Sequence, residues 1–382
     1  MDHHGWTPVL QALRADALDC MQTTFALITD HAHGAGTHLA LGARWSLRSP
    51  ASTQEARAAE ARELLGLRLT ARWQEVDGPG LCQAAELHRC LYVTADAYHM
   101  PWLPYAGRQH MAHSFLLGAD PDGLVVVDAY HNDTQWGPAR PGAWRVTSGQ
   151  LDTAATAGAT AMVLAADPPP RLDVPSMLAR NAERMGTDLV DRRVARARDM
   201  IDDCEGMERL VLDIWLTGRE RLLHAAWLAT LAEPPAAAPD MMRQADGWRQ
   251  LAAQSYVSLR RARRGRPVDL GVVHGLARLL RSDLELARRL GQQDDVGEDG
   301  AVTVRAAVVA ALGTVLGLDA HTINASRALR ELPGFDSYRL VEVIERTEQM
   351  LGVEAAVNRV GADGLRDLNG LCRMFTAAEG PR

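Results

Sequence analysis

The sequence predicts an α+β block built on an antiparallel sheet, followed by an all-α bundle and a small block of helices. Three observations carry this expectation. Up to about residue 168, helical segments alternate with short β-type runs: "LYVTADAY" (91–98), "SFLLG" (114–118), "LVVVDAY" (124–130) and "TAMVLAA" (160–166). From about 172 to 292 apolar residues recur every three or four positions, as in "MERLVLDIWLTGRERLLHAAWLATL", with hardly any strand signal. Proline, glycine and charge cluster in "AADPPPRLDVP" (165–175), "AEPPAAAPD" (232–240) and "GQQDDVGEDGA" (291–301), which mark breaks. The expected domains are 1–168, 169–296 and 301–382.

Composition narrows the function classes. A chain of 382 residues, 47% hydrophobic and 23% charged, fits a soluble protein of two or three domains. No apolar run reaches the ~18 to 20 residues that a membrane span requires. The opening "MDHHGWTPVLQALRAD" is acidic and polar rather than basic then apolar, so no secretory signal is expected and the cytoplasm is the default. The five cysteines, 20, 82, 90, 204 and 372, are odd in number and form no CxxC pair, so each is weighed as a single thiol. A net charge of -7 removes the electrostatic case for nucleic acid, and "LRRARRGR" (259–266) reads as a solvated helix end, with docking to an acidic partner as the alternative. Every basic side chain is arginine, which reflects codon bias rather than function.

In the first block, "RADALDCMQTTFALITDHAHG" places Leu18, Met21, Phe25 and Ile28 on one helical stripe, with Cys20, Thr24 and Leu27 on another face. Asp16 and Asp19 supply capping oxygens just ahead. Cys20 then lies in the first turn, where backbone N–H groups and the helix dipole favour a thiolate, although Asp19 beside it opposes one. The bland alternative is a buried structural cysteine. "GAGTH" (34–38) lacks the strand-then-helix setting of a dinucleotide loop and reads as a helix stop. The histidines of "DHHG", "DHAHG" and "YHND" match no helix-borne ligand spacing, so no metal is expected.

Further along, "MAHSFLLGADPDGLVVVDAY" (111–130) is two apolar runs around Asp-Pro-Asp-Gly, a hairpin signal. Pairing Gly118 with Leu124 sets Ser114 opposite Asp128, and a one-residue shift sets His113 opposite Asp128. Either way imidazole and carboxylate lie on adjacent strands, ~4.8 Å apart. A carboxylate there orients the ring and stabilises its protonated form, as a cysteine-histidine pair requires. Trp102 and Tyr105 are expected to shape a loop nearby, either lining a channel to the site or packing in the core, while Trp215, Trp227 and Trp248 read as core.

In the third block, "VTVRAAVVAALGTVLGL" puts Val304, Val308, Leu312 and Val315 on one face. A loop ending in "LPGFDS" leads to a second helix carrying Leu340, Ile344, Thr347 and Leu351 inward, and a third is expected at "LRDLNGLCRMFTAA". Asp336 or Ser337 fits a plain N-cap.

These motifs support two resemblances. With Gly334-Phe335-Asp336-Ser337-Tyr338 opening its second helix, the third block resembles a phosphopantetheine-binding carrier domain of the acyl or peptidyl type. The resemblance implies a 4'-phosphopantetheine arm on Ser337, next to Asp336, where helix N–H groups favour a phosphate; Tyr338 departs from the family's usual aliphatic residue. The first block, with the order Cys20, His113, Asp128, resembles the papain-like superfamily and, more narrowly, the butirosin-pathway acyltransferase family. The matching pieces are residues 18–47, 96–105 and 113–130. That resemblance implies a papain-like fold in which the cysteine takes an acyl group from a carrier thioester and passes it to an amine, with thioesterase, cyclase or non-catalytic carrier-presenting module as alternatives. Implied partners are a phosphopantetheinyl transferase, a carrier-bound acyl substrate, an amine acceptor and assembly-line enzymes, with no nucleic acid and no membrane. Papain-like enzymes place a glutamine six residues before the cysteine; position 14 here is Arg14, which leaves the oxyanion donor unassigned.

Overall fold

In the computed structural model, residues 3–47, 53–88, 90–267, 270–292, 298–326, 328–355 and 367–376 are described. The chain divides into two compact units, residues 1–292 and 293–382. No described helix is long and apolar enough to cross a membrane.

The first unit begins with α1 (Thr7–Ala12) and a 3-10 turn at Ala15–Ala17, then α2 (Cys20–His33). Helix α2 starts where it does because Asp19 caps it. The Asp19 carboxylate accepts from the N–H groups of Met21 and Gln22, and the Gln22 side chain accepts from the Asp19 N–H. Asp16, expected as a second cap, pairs with Arg14 instead, at 3.0 Å. From Met21 to Leu27 every residue of α2 is buried, so it is a central helix rather than a one-striped surface helix. It stops at Gly34, whose φ of 101° few other residues adopt.

A 3-10 segment (Thr37–Ala43) and α3 (Gln54–Leu65) lead to strand β1 (Leu67–Val76) and α4 (Gly78–His88). Strands β2 (Cys90–Asp96), β3 (Ala112–Asp120) and β4 (Gly123–Asp128) follow. A small pair, β5 (Asn132–Thr134) and β6 (Gly137–Ala139), precedes β7 (Gly142–Val146), α5 (Ser148–Ala154) and β8 (Ala159–Ala166). The main sheet runs β1-β8-β2-β3-β4-β7, antiparallel throughout. Both faces are covered: Leu116, Val125 and Val127 join the core around α2, while Phe115, Leu117 and Val126 join a second core on the other side. Two buried faces are why these strands read as continuous apolar runs rather than alternating ones.

The β3–β4 hairpin forms at the predicted place but in neither predicted register. Asp120 pairs with Gly123 and Leu116 with Val127, one residue from the Gly118–Leu124 pairing and in the opposite sense to the shift considered above. The cause is a two-residue turn at Pro121–Asp122, locked by the Asp122 N–H on the Asp120 carboxylate at 2.9 Å and by Gly123 at φ 128°. Asp128 therefore lies level with Phe115, and His113, two residues along, shares its face as a diagonal neighbour.

Helices α6 (Val174–Glu183), α7 (Thr187–Met200), α8 (Cys204–Leu228), α9 (Ala238–Ala262) and α10 (Gly271–Gly291) complete the first unit. The break at 165–175 falls between β8 and α6, yet it does not separate two cores. Trp248, Leu276 and Leu280 of the bundle belong to the same buried cluster as Phe25 and Leu116. Polar ties cross as well: Arg221 of α8 pairs with Asp283 at 2.8 Å and donates to the Ser46 carbonyl. At Gly42 a Cβ would lie 2.4 Å from the Leu223 carbonyl oxygen, so only glycine lets α8 approach that closely.

The second unit holds α11 (Glu298–Leu316), α12 (Ala320–Ala325), α13 (Ser337–Leu351) and α14 (Leu368–Thr376). Its core contains Val308, Leu312, Val343, Leu371 and Met374, with Val304, Val315, Leu340, Ile344 and Leu351 packed against it. Thr347 is inward as expected and spends its hydroxyl on the Val343 carbonyl, at 2.7 Å. Val343 is the centre of the α13 face, a position the sequence reading left out. Helix α14 is the expected third helix, whose predicted ends lie outside the described residues.

Candidate active site

Cys20 is the first residue of α2 and is partly exposed. The helix start is pinned to β3 by Ser114, which donates to the Cys20 carbonyl at 2.7 Å and shares a 2.7 Å hydrogen bond with the Thr24 hydroxyl. The sulfur lies 3.8 Å from the Ala112 carbonyl oxygen. Asp19, which in the sequence opposes a thiolate, is paired with Arg57 at 2.7 Å, and Arg57 also meets Glu60 at 2.8 Å. Its charge is thus matched locally. Asp19 also consumes the next three N–H groups of α2, those of Met21, Gln22 and Thr23. The Cys20 N–H has no partner among the described residues, which leaves it free to serve as an oxyanion donor. Arg14, where a glutamine would stand in papain-like enzymes, has its guanidinium on Asp16 and is partly exposed.

His113 and Asp128 meet as a buried pair, Nε2 to Oδ2 at 2.8 Å. The carboxylate is fully used: Oδ2 also accepts from the indole N–H of Trp102 at 3.3 Å, and Oδ1 accepts from the Tyr130 N–H at 2.9 Å. Trp102 is edge-on to Phe115 and Tyr130 is edge-on to the His113 ring, so aromatic walls fix both partners. The other ring nitrogen, Nδ1, is buried with no partner among the described residues. Burial by itself pushes the imidazole pKa down, but the Asp128 charge and hydrogen bond, with a smaller contribution from the adjoining Cys20 thiol, raise it to about 10. Cys20, His113 and Asp128 are therefore brought together, with Asp128 on one ring nitrogen and the thiol beside the ring.

One contributor has no signal in the local sequence. Arg219 reaches from α8 and is about nine-tenths buried. Its guanidinium donates to the carbonyls of Ala15 at 2.8 Å and Leu18 at 2.5 Å, just before Cys20, and to the carbonyl of His131, just after the Asp128 strand. Trp215 stacks beneath it at 4.1 Å, so this tryptophan supports the clamp rather than filling the bundle core. All three acceptors are neutral. Burial draws the guanidinium pKa down, and the acidic groups nearby, Tyr130, Asp19, Asp16 and Cys20, oppose that.

In the second unit, Gly334 turns the chain at φ 77°, Asp336 caps α13 by accepting from the N–H groups of Tyr338 and Arg339, and Ser337 is the first helical residue. Gly334, Asp336 and Tyr338 are exposed, Tyr338 at 83%, so the chain around Ser337 is open to a modifying enzyme. The Ser337 side chain lies outside the described residues. An exposed helix start with a carboxylate cap and free approach fits a residue that carries a phosphodiester.

Residues 306–375 match the phosphopantetheine attachment site family. This part of the chain is a carrier domain, and it carries a 4'-phosphopantetheine prosthetic group. A carrier domain implies a phosphopantetheinyl transferase, acyl-carrier partners and a part in carrier-based biosynthesis. No curated protein matches the chain.

Proposed function

We propose that the chain is a thioester-dependent acyltransferase of polyketide or nonribosomal peptide biosynthesis, moving a carrier-bound acyl group through acyl-Cys20 to an amine. The observation that carries this reading is the His113 ring: Asp128 holds Nε2, and Nδ1 is buried, unpartnered among the described residues and beside the Cys20 thiol. His38, between Asp30 and the Arg14 N–H, has both nitrogens satisfied, and His224, whose Nε2 is also unpartnered among the described residues, rests its Nδ1 on the Gly42 carbonyl rather than on a carboxylate. When bound, 4'-phosphopantetheine supplies a mobile thiol on which acyl groups travel as thioesters. Ser337 is the residue that would hold it.

His113 begins the cycle protonated, so it acts first as an acid. Cys20 Sγ, as thiolate, attacks the thioester carbonyl carbon and forms a carbon-sulfur bond, while the Cys20 N–H receives the developing oxyanion. The bond to the donor sulfur breaks, and that sulfur takes the proton from His113 Nδ1. Acyl-Cys20, neutral His113 and a free thiol result. An amine nitrogen then attacks the acyl carbon and passes a proton to Nδ1, and the Cys20 thiolate leaves. Asp128 stabilises the imidazolium at both ends of the cycle.

The test uses the unmodified full chain and a short acyl N-acetylcysteamine thioester. One acyl mass on Cys20, released by an amine as an amide, is expected, and Cys20→Ala should gain none. Release as free acid would make the protein a thioesterase and internal capture a cyclase. Unchanged product formation by Cys20→Ala would leave only a carrier-presenting module. For the carrier, phosphopantetheinyl transferase and coenzyme A should add one arm mass at Ser337, absent in Ser337→Ala.

A further inference from the structure

Beside the catalytic centre lies a groove of about 540 Å³ whose walls include Glu75, Asp96, His110, Ala112, Gly158 and Thr160. Ala112 belongs to both places, since its carbonyl oxygen is 3.8 Å from the Cys20 sulfur. Within the groove is a second His–Asp pair, His110 Nδ1 to Asp96 Oδ2 at 2.6 Å. It is as carefully held as the first. Asp96 Oδ1 accepts from the N–H groups of Tyr98 and Met111, both at 3.0 Å, and the Tyr98 ring stacks on His110 at 4.1 Å, 8° from parallel. Burial raises the Asp96 pKa, but the His110 hydrogen bond and those two N–H groups outweigh it and keep the carboxylate ionised. The His110 side chain is 69% exposed, so Nε2 faces water.

Glu75 comes to the groove wall through the irregularity in β1 between Trp73 and Val76, where it holds φ at 52° and faces Gly158, at which a Cβ would sit 3.5 Å from the Glu75 Cα. The charge of the walls suits a cationic ligand. Among the described residues no arginine lines the groove, in a chain whose basic side chains are all arginine. Its charged walls are carboxylates and an imidazole.

We propose that this groove receives the incoming nucleophile as a cationic primary amine, and that His110, oriented by Asp96, takes the ammonium proton before the amine attacks acyl-Cys20. The proposal rests on the acyl-cysteine reading and supplies a step it lacks. His113 Nδ1 accepts one proton when the amine nitrogen attacks, yet an alkylamine at neutral pH arrives with one proton more than that step removes. His110 Nε2 accepts the extra proton from R-NH3+, giving R-NH2 and imidazolium, and the exposed ring returns it to solvent. The second proton goes to His113 as the amide bond forms and the carbon-sulfur bond breaks. Glu75 and Asp96 attract the cation, and Tyr98 and His99 are the other ionisable rings at His110.

The full chain, loaded on Cys20 from the acyl N-acetylcysteamine thioester, is discharged with either of two nucleophiles: 1,3-diaminopropane, an ammonium at neutral pH, and hydroxylamine, which is neutral there. His110→Gln should slow discharge to the diamine by about 10²-fold and discharge to hydroxylamine by less than about twofold. The diamine deficit should shrink as pH nears about 10, where an alkylamine sheds its own proton. Asp96→Asn, which keeps the shape, should give the same split at smaller size and serves if His110→Gln does not fold. Equal slowing with both nucleophiles, or none, overturns the proposal while leaving acyl-Cys20 intact. A chain that never loads Cys20 overturns both readings.

Discussion

Two histidine-aspartate pairs stand three residues apart along the chain, His110 with Asp96 and His113 with Asp128, at nearly equal distances of 2.6 and 2.8 Å. What separates them is water. The His113 side chain has no exposure and Asp128 almost none, whereas His110 projects into a groove. In the sealed pair, desolvation is the largest single influence, but the Asp128 charge and hydrogen bond, with the smaller Cys20 contribution, together outweigh it, so the ring keeps its proton and becomes half of an ion pair. In the open pair the carboxylate holds a ring that stands largely in water. A third pair, His38 with Asp30, is as buried as the first, but the Arg14 N–H occupies its second nitrogen, which makes it structural. His224 is buried with Nε2 unpartnered among the described residues too, but its Nδ1 rests on the Gly42 carbonyl, so what sets His113 apart is burial, a carboxylate on one nitrogen and an open second nitrogen taken together.

The largest test of this contrast exchanges the two carboxylates for amides. Asp128→Asn should lower turnover on the order of 10⁴-fold, because the ring loses its tautomer and its counter-charge. It should also cost about 3 to 5 kcal/mol of stability by leaving a buried charge without its partner. Asp96→Asn, at the half-open pair, should cost under about 1 kcal/mol. Urea unfolding of both variants measures the difference. Equal losses would mean that the groove is not the solvated site described above.

Next in size is Arg219→Met, which acts on the sealed side alone. It removes the donor shared by the carbonyls of Ala15, Leu18 and His131, and a loss of about 3 kcal/mol is expected. Iodoacetamide modification of Cys20 should slow, since the segment before Cys20 loosens and a buried cation disappears, while the pair at His110 keeps its own response to the diamine. Arg219→Lys should restore part of the reactivity. An unchanged alkylation rate in Arg219→Met would reduce the clamp to a packing device.

A smaller effect follows from the sign of the His113 shift. Its pKa is raised on folding from 6.5 to about 10, so its pairing contributes fully below about pH 6.5 and is lost as pH climbs through 10. The stability advantage of the native chain over His113→Gln should therefore narrow between those limits, as read from urea midpoints across that range. Asp96 shifts the other way, downward on folding, so any contribution from it is present at neutral pH and lost in acid. A His113→Gln difference that widens with rising pH would contradict an imidazolium in the folded state.

These pairs are unequally legible in the sequence. The carrier motif lies within five consecutive residues, Gly334 to Tyr338, so local spacing carries it. The hairpin is legible through Asp-Pro-Asp-Gly, yet its register is not, because one residue more or less in the turn decides which side chains share a face. The start of β3 is marked by His113, while His110 gives no local signal since its partner lies on the strand before the loop. Arg219 acts across about 200 residues, and no periodicity encodes that distance. Strand β1 escapes the sequence reading for a different reason: it is a sheet edge, mostly exposed, and reads as polar sequence.

The smallest predicted effect probes how the open pair is held. Tyr98 stacks flat on His110, and its own N–H is one of the two that fix Asp96. Tyr98→Leu keeps the backbone N–H and removes only the ring face, so Asp96 should stay in place while His110 gains rotational freedom. Offset stacking of this kind is worth about 0.5 to 1.5 kcal/mol, which corresponds to a loss of roughly two- to tenfold in the population of the aimed ring. Discharge of acyl-Cys20 to 1,3-diaminopropane should fall by that factor, with hydroxylamine unaffected and the sealed pair's alkylation chemistry unchanged. If the variant instead slows both nucleophiles alike, Tyr98 is shaping the approach to Cys20, and the two histidine pairs are mechanically joined rather than independent.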